Sequence, residues 1–142
     1  MRRLGHVVLV ILLMGVAAPG GAAAPGPDSA YADQLGALVN DYRRRQGLEA
    51  LDMDERLATL AREHSGEMSK AGSLNHQGME SRARRSGYAM CVENVGWNYA
   101  TPQAQLDGWQ HSSGHDRNMR DKRVHRMGIG VAATYVTLIA CE

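Results

Sequence analysis

The order of apolar patterns along the chain most constrains its fold. Apolar residues recur at helical spacing early, from Tyr31 to Gln46 and from Glu55 to Lys70. Strand-length apolar runs come last, from Met127 to Ala133 and from Tyr135 to Cys141. A doubly wound α/β sheet would instead alternate helices and strands throughout. The order therefore predicts an α+β fold in which helices pack in layers against a small sheet.

Capping residues and breakers place the intervening elements. Asp54 stands directly before the second helical stripe and is its predicted N-cap. A short basic helix is predicted from Met79 to Ser86, followed by a mixed apolar and β-prone stretch from Tyr88 to Tyr99. Pro102 then opens a further helix, since proline is favoured at the first helical position.

The first 24 residues have the pattern of a secretion signal. Arg2 and Arg3 precede an uncharged apolar run over residues 7–18, and small residues follow as far as Ala24. That run is about a dozen residues long, whereas a spanning helix needs about 20, so a stable membrane anchor is the weaker alternative. We expect residues 1–24 to be a signal peptide, 25–30 a flexible leader and 31–142 one secreted domain.

Charge and cysteine content narrow the class of protein further. The chain has 16 Lys and Arg against 15 Asp and Glu, so it lacks the basic excess typical of a nucleic-acid partner. An even pair of cysteines in a secreted chain usually forms a disulfide. A bond between Cys91 and Cys141 would close a loop of about 50 residues and contribute about 4 kcal/mol. Two buried free thiols are the alternative.

Two familiar catalytic motifs are excluded around the last loop histidines. His111 and His115 have the spacing of the zinc-protease motif HExxH, but Ser112 stands where that motif requires glutamate and Gly114 weakens a helix there. Neither Ser112 nor Ser113 lies in a GxSxG nucleophile elbow. We therefore expect neither a zincin nor a serine hydrolase.

Three residues remain as candidates for a functional cluster. His76 and His115 lie beside glycines and serines, in segments typical of loops that carry function. Glu93 is the only carboxylate between Glu80 and Asp107. His64, in contrast, lies on the apolar stripe of its helix and is predicted to be a buried core histidine. No local spacing links the three candidates.

Motifs in four parts of the chain resemble a known family. In chain order they are an opening helix with Asn40 and Arg43, the segment LNHQG, the pair Glu93-Asn94, and the segment from Trp109 to His115. In this order they resemble a bacterial CAP-domain protein, also called SCP-like after cysteine-rich secretory proteins, antigen 5 and pathogenesis-related 1. The resemblance covers essentially the whole predicted domain. It implies a secreted three-layer α-β-α sandwich.

The resemblance also implies a shallow cleft with two histidines and two acidic residues. His76, Glu93 and His115 match three of these positions, and Ser112 stands where animal members carry the second glutamate. The ligand cleft is accordingly predicted at these four residues. Two imidazoles and a carboxylate suit Zn²⁺ or another divalent cation, with His76 and His115 as the candidate metal ligands. Alternatively, Glu93 orients one histidine without a metal.

Two functions follow as expectations. The first is an extracellular binding module for a small apolar molecule, a cell-envelope component or a protein partner, with a cleft ion tuning its conformation. The second is a metal-dependent hydrolase of peptide or cell-wall bonds, with Glu93 as general base and a metal-bound water as nucleophile. His76, Glu93 and His115 are the candidate catalytic residues. The lack of an activated serine or cysteine favours binding.

Overall fold

The computed structural model describes residues 26–142, in which five helices and four strands form a layered domain. The helices are α1 (Pro27–Arg45), α2 (Glu55–Ala71), α3 (Met79–Ser86), α4 (Pro102–Gln110) and α5 (Ser113–Met119). The strands are β1 (Asp52–Met53), β2 (Cys91–Trp97), β3 (Arg126–Ala132) and β4 (Tyr135–Cys141).

The four strands form one sheet in the order β1-β3-β4-β2. The last two strands of the chain, β3 and β4, form an antiparallel hairpin at its centre, and the short β1 pairs parallel to β3. The edge strand β2 runs antiparallel to β4, which places Cys91 directly opposite Cys141. These two cysteines form the predicted disulfide.

Helix α2 packs closely on one face of the sheet. Its buried residues Leu57, Leu60 and Ala61 contact Ile139 on β4. The close approach depends on Gly128 of β3, because a Cβ at that position would overlap the backbone of α2. A strand presents alternate residues to opposite faces, so the neighbours of Gly128 point away from α2.

The other face of the sheet is covered by α1 and α4. Leu35 and Val39 of α1 share a buried cluster with Ile129 and Leu138 of the sheet and with Trp109 of α4. The sheet therefore lies between two helical layers, and the predicted α+β, three-layer α-β-α sandwich is confirmed. This arrangement exposes neither face of the central hairpin, in agreement with its almost continuous apolar sequence.

Local caps explain why several predicted boundaries hold. The Asp54 carboxylate accepts a hydrogen bond from the backbone N–H of Leu57 at 2.9 Å, so it is the N-cap of α2 as expected. The Thr101 hydroxyl accepts from Ala104 N–H in the same way, at 3.1 Å, and Pro102 follows at the first helical position. The α3 bounds match the prediction.

Three predictions of local structure need correction. Helix α1 begins at Pro27 rather than Tyr31, so most of the predicted 25–30 leader is its first turn, because proline fits the first helical position. Residues 113–119 form α5 in spite of Gly114, and Asp52–Met53, which the sequence does not indicate as a strand, pair with β3 as β1. Tertiary contacts override weak local propensity at both places. The predicted signal peptide, residues 1–24, lies outside the described residues.

Candidate functional site

The three candidate residues come together at the outer end of the sheet. His76 lies in the loop between α2 and α3, Glu93 is on β2, and His115 is on α5. The His76 Nδ1–H donates to Glu93 Oε1 at 2.9 Å. The ring centroids of His76 and His115 are 6.5 Å apart. Residues separated by up to 39 positions in the chain thus share one site.

A fourth residue of this cluster, Arg82 on α3, is not indicated by the sequence. Its guanidinium donates from Nε to Glu93 Oε2 and from Nη2 to Glu93 Oε1, both at 2.8 Å. Its Nη1 donates to the Gln77 carbonyl. Arg82 and Glu93 are both buried. The basic composition of α3 is typical of a solvated helix, so it does not distinguish the one arginine that points inward. The only sequence signal is that Arg82 lies one helical turn before Ser86, the other buried residue of α3.

The engagement of Glu93 limits the chemistry of the site. Its carboxylate accepts three hydrogen bonds, two from Arg82 and one from His76. To become a metal ligand or a general base it would have to give up one of these partners inside a buried setting. No group of three His, Cys, Asp or Glu side chains arranged to hold a metal occurs within residues 26–142.

A three-ligand His/His/Glu zinc set therefore does not fit this arrangement. A cation between His76 and His115 would find two imidazoles, and the nearby carboxylate is already neutralised by a guanidinium. Because His76 uses Nδ1–H for Glu93, its Nε2 is the nitrogen left for a ligand. Binding of Zn²⁺ or another divalent cation by His76 and His115 remains a prediction, with two ligands instead of three.

His64 holds the loop that carries His76, and the prediction that it is a buried core histidine is confirmed. It is buried on α2 and donates from Nε2 to the Asn75 carbonyl at 2.8 Å. The same nitrogen lies 3.8 Å from Glu93 Oε1. Since Asn75 precedes His76, this bond ties the loop that carries the cleft histidine to α2.

His115 is positioned by contacts between α5 and the edge of β2. Asn94 donates from Nδ2 to the His115 carbonyl at 3.0 Å, and Asn118 donates to the Glu93 carbonyl at 3.1 Å and to the Asn94 side-chain oxygen at 2.9 Å. The His115 ring lies edge-on to Trp109, with ring centroids 6.4 Å apart. Partial burial, with a smaller contribution from His76, lowers the pKa of His115. The ring is therefore neutral at pH 7.

His111 lies apart from this cluster. It caps the C-terminus of α4, where its Nδ1 donates to the Asp107 carbonyl at 2.7 Å, whereas His115 is on the next helix. The four-residue spacing of the two histidines therefore spans a break between helices. This agrees with the exclusion of an HExxH site.

A cavity of about 320 Å³ opens beside His115. Its walls contain no Asp, Glu, Lys or Arg, and they are formed by Leu74, Val95, Gly96, Trp97, Tyr99, Gln105, Gly108, Trp109, Ser112 and His115. The predicted cleft residue Ser112 thus lines this cavity together with His115, while His76 and Glu93 belong to the polar cluster next to it. Neutral, partly aromatic walls suit an uncharged ligand.

The family model of the cysteine-rich secretory protein family, CAP, matches residues 37–137. The chain belongs to the CAP family. The match includes His64, His76, Arg82, Glu93 and His115.

Relatives of this CAP protein occur in Bacillus subtilis. The uncharacterized protein YkwD of Bacillus subtilis is 31% identical over 114 residues, and the match covers 75% of this chain and 44% of that protein. The uncharacterized membrane protein YlbC of the same species is 26% identical over 70% of this chain and 31% of its own length. The chain therefore spans less than half the length of these curated relatives.

Solved structures share the fold. An extracellular SCP-domain protein of Bacillus anthracis superposes with a TM-score of 0.78 at 23% identity, covering 85% of this chain and 45% of its own. An outer surface protein of Borrelia burgdorferi gives 0.72 at 14% identity, covering 78% and 90%. Among residues 26–142, no helix combines the length and apolar character needed to cross a membrane.

Proposed function

We propose that this CAP protein is secreted and acts as an extracellular binding module that holds an uncharged cell-envelope ligand in the cavity beside His115. The observation that carries the proposal is the hydrogen bonding of Glu93. Its buried carboxylate is held by Arg82 and His76, so the polar cluster is arranged to keep its shape. The neighbouring cavity is open and neutral, as a binding site for such a ligand requires.

The compartment is supported by the similar proteins. The Bacillus anthracis neighbour is described as extracellular and the Borrelia burgdorferi neighbour as an outer surface protein. A disulfide between Cys91 and Cys141 is typical of an oxidising compartment. Together with the predicted signal at residues 1–24, these features favour secretion.

Hydrolysis is the second candidate, and one observation favours it. The His76 side chain is 47% exposed, and Glu93 holds its Nδ1. A carboxylate that orients an imidazole in this way can prepare it to accept a proton from water. In this version His76, and not Glu93, is the general base, because the two oxygens of Glu93 are engaged.

One experiment separates binding from hydrolysis. The chain 25–142 is incubated with purified peptidoglycan sacculi, the suspension is centrifuged, and both bound protein and turbidity are measured. We expect the protein to sediment with the sacculi while the turbidity stays constant. A His115→Ala variant should stay in the supernatant more than wild type, and His125→Ala, an exposed histidine remote from the cavity, serves as the control.

Each remaining outcome has a defined meaning. Loss of turbidity that depends on His76 would support the hydrolase. Equal sedimentation of wild type and His115→Ala would contradict the proposed cavity. A parallel series with added zinc or with EDTA tests the two-histidine cation site. Of the two histidines of this cation site, only His115 lines the cavity. We therefore expect similar sedimentation with added zinc and with EDTA.

A further inference from the structure

A buried amide without a partner marks one wall of the cavity. Gln105 of α4 is 0% exposed, and neither its Nε2 nor its Oε1 has a hydrogen-bond partner. These are the only buried side-chain nitrogen or oxygen atoms left unpaired within residues 26–142. An unpaired buried amide lowers stability, whereas an aliphatic side chain of similar size would not.

The backbone of β2 provides the space for this amide. The Gln105 amide packs directly against Gly96, and a Cβ at position 96 would overlap this amide. Gly108, one turn further along α4, similarly makes room for the ring of Tyr99. Glycines at these two positions allow a polar amide and an aromatic ring to border the same cavity.

Exposed apolar side chains concentrate around the cavity. Four large hydrophobic residues are well exposed in the described part of the chain, and three of them, Leu74, Trp97 and Tyr99, line this cavity. Trp97 is 52% exposed and Tyr99 is 41% exposed. Clustering of exposed apolar side chains in one place indicates a binding surface, whereas scattered ones need no explanation.

The chemistry of these walls selects the ligand class. A purely aliphatic ligand would leave the Gln105 amide unpaired, and an anion would find no Lys or Arg in the walls of the cavity. A sugar ring satisfies both requirements. Its hydroxyls donate and accept, as the amide needs, and its C–H face packs on an aromatic ring.

We infer that Gln105, Trp97 and Tyr99 form a subsite for an uncharged sugar ring of an envelope glycan. This inference rests on the proposed binding function and names its ligand class. The Gln105 amide pairs with adjacent ring hydroxyls, and Trp97 stacks on the ring. Side-chain rotamer changes of the kind common on binding give the ring access to the amide.

The test is a titration of chain 25–142 with two uncharged oligosaccharides, followed by calorimetry and tryptophan fluorescence. Chitotetraose carries acetamido groups and cellotetraose only hydroxyls, so the pair separates an N-acetylated source from a plain glucan. We expect at least one to bind and to change the emission of the exposed Trp97. Gln105→Met and Trp97→Ala should each weaken binding by about tenfold or more.

Matched variants serve as controls. Gln103→Met changes an exposed glutamine on the same helix, and Met53→Ala removes an exposed apolar side chain on the far edge of the sheet. Both should bind like wild type. Because Trp97 is on the surface, Trp97→Ala keeps the test valid even if Gln105→Met altered the fold.

Two results would overturn the subsite. One is that neither oligosaccharide binds at concentrations up to about 10 mM, because a Kd above that value is too weak for a specific site. The other is binding that persists unchanged in Gln105→Met and Trp97→Ala. If the protein still sediments with sacculi in a manner that depends on His115, the proposed function stands and only the sugar subsite fails. If neither sacculi nor oligosaccharides bind, both fail.

Discussion

Buried polar groups are paired on one face of the edge strand β2 and unpaired on the other. On one face, Glu93 is held by Arg82 and His76, with His64 close by. On the other, the Gln105 amide lies against Gly96 with no partner. A paired polar group contributes to a defined structure, whereas an unpaired one costs stability that a ligand can recover. A single strand thus borders a paired polar cluster on one face and an unpaired amide on the other.

Loss of the Arg82–Glu93 pair should lower stability more than any other change considered for β2. Replacing Arg82 by Met leaves the buried Glu93 carboxylate without its main partner, so the free energy of unfolding should fall by about 3–5 kcal/mol. Chemical denaturation measures this value. The double variant Arg82→Met with Glu93→Leu should recover much of the loss, because it removes both charges. Arg84→Met, on the exposed side of α3, should change stability by less than about 0.5 kcal/mol.

A smaller effect is expected where the two faces meet. Trp109 donates from Nε1 to the Val95 carbonyl at 2.9 Å at the edge of β2. Trp109→Phe removes this donor from a buried carbonyl and should lower the free energy of unfolding by about 1–3 kcal/mol. Trp97→Phe is the matched control, since its exposed ring should tolerate the change within about 0.5 kcal/mol. Equal losses in both variants would contradict the role of the Trp109 bond.

On the unpaired face the sign should reverse. Gln105→Met removes an amide without partners while keeping an unbranched side chain of similar volume. We expect the free energy of unfolding to rise by about 1 kcal/mol, together with the loss of oligosaccharide binding described above. Thermal and chemical denaturation measure the rise, and Gln103→Met should leave stability unchanged. A clear loss of stability in Gln105→Met would show that the amide is satisfied in solution.

The smallest effect is a pH dependence at the junction of the cluster and the cavity. Burial, followed by the proximity of His76, lowers the pKa of His115 from its ordinary value of 6.5. The unfolded chain therefore takes up this proton at a higher pH than the folded chain does. The contribution of His115 to the free energy of unfolding is complete above about pH 6.5, and it is lost as the pH falls through the lowered pKa of His115.

Denaturation at a series of pH values between about 8 and 5 tests this point. His115→Gln should flatten part of the fall in stability, whereas His125→Gln, at an exposed position, should leave the profile unchanged. An identical slope in wild type and His115→Gln would exclude His115 as its source.

Much of the fold could be predicted because its signals are local. Short-range spacing and capping chemistry predict the α3 and β4 bounds, the N-cap Asp54, the start of α4 at Pro102 and the core position of His64. Helix α5 and strand β1 could not be predicted in this way. They are short, their local propensities are weak, and contacts with β2 and β3 stabilise them.

The candidate site divides along the same line. Its family resemblance placed His76, Glu93 and His115 among the functional residues, and the structure brings them together. Arg82 looked like one more cation on a basic helix, and the Gln105 side chain like one more polar group. Nothing in their sequence neighbourhoods shows that one is buried against a carboxylate and the other against a glycine.

Sequence patterns and family resemblance predicted the family, the layered α+β class, a Cys91–Cys141 disulfide and three residues of the candidate site. The packing of the elements settles which polar groups are paired. Capping and periodicity act over a few residues, so they can be read from the chain. The pairing of Arg82 with Glu93 and the isolation of Gln105 depend on how α3, α4 and β2 pack, and segments far apart in sequence settle that together.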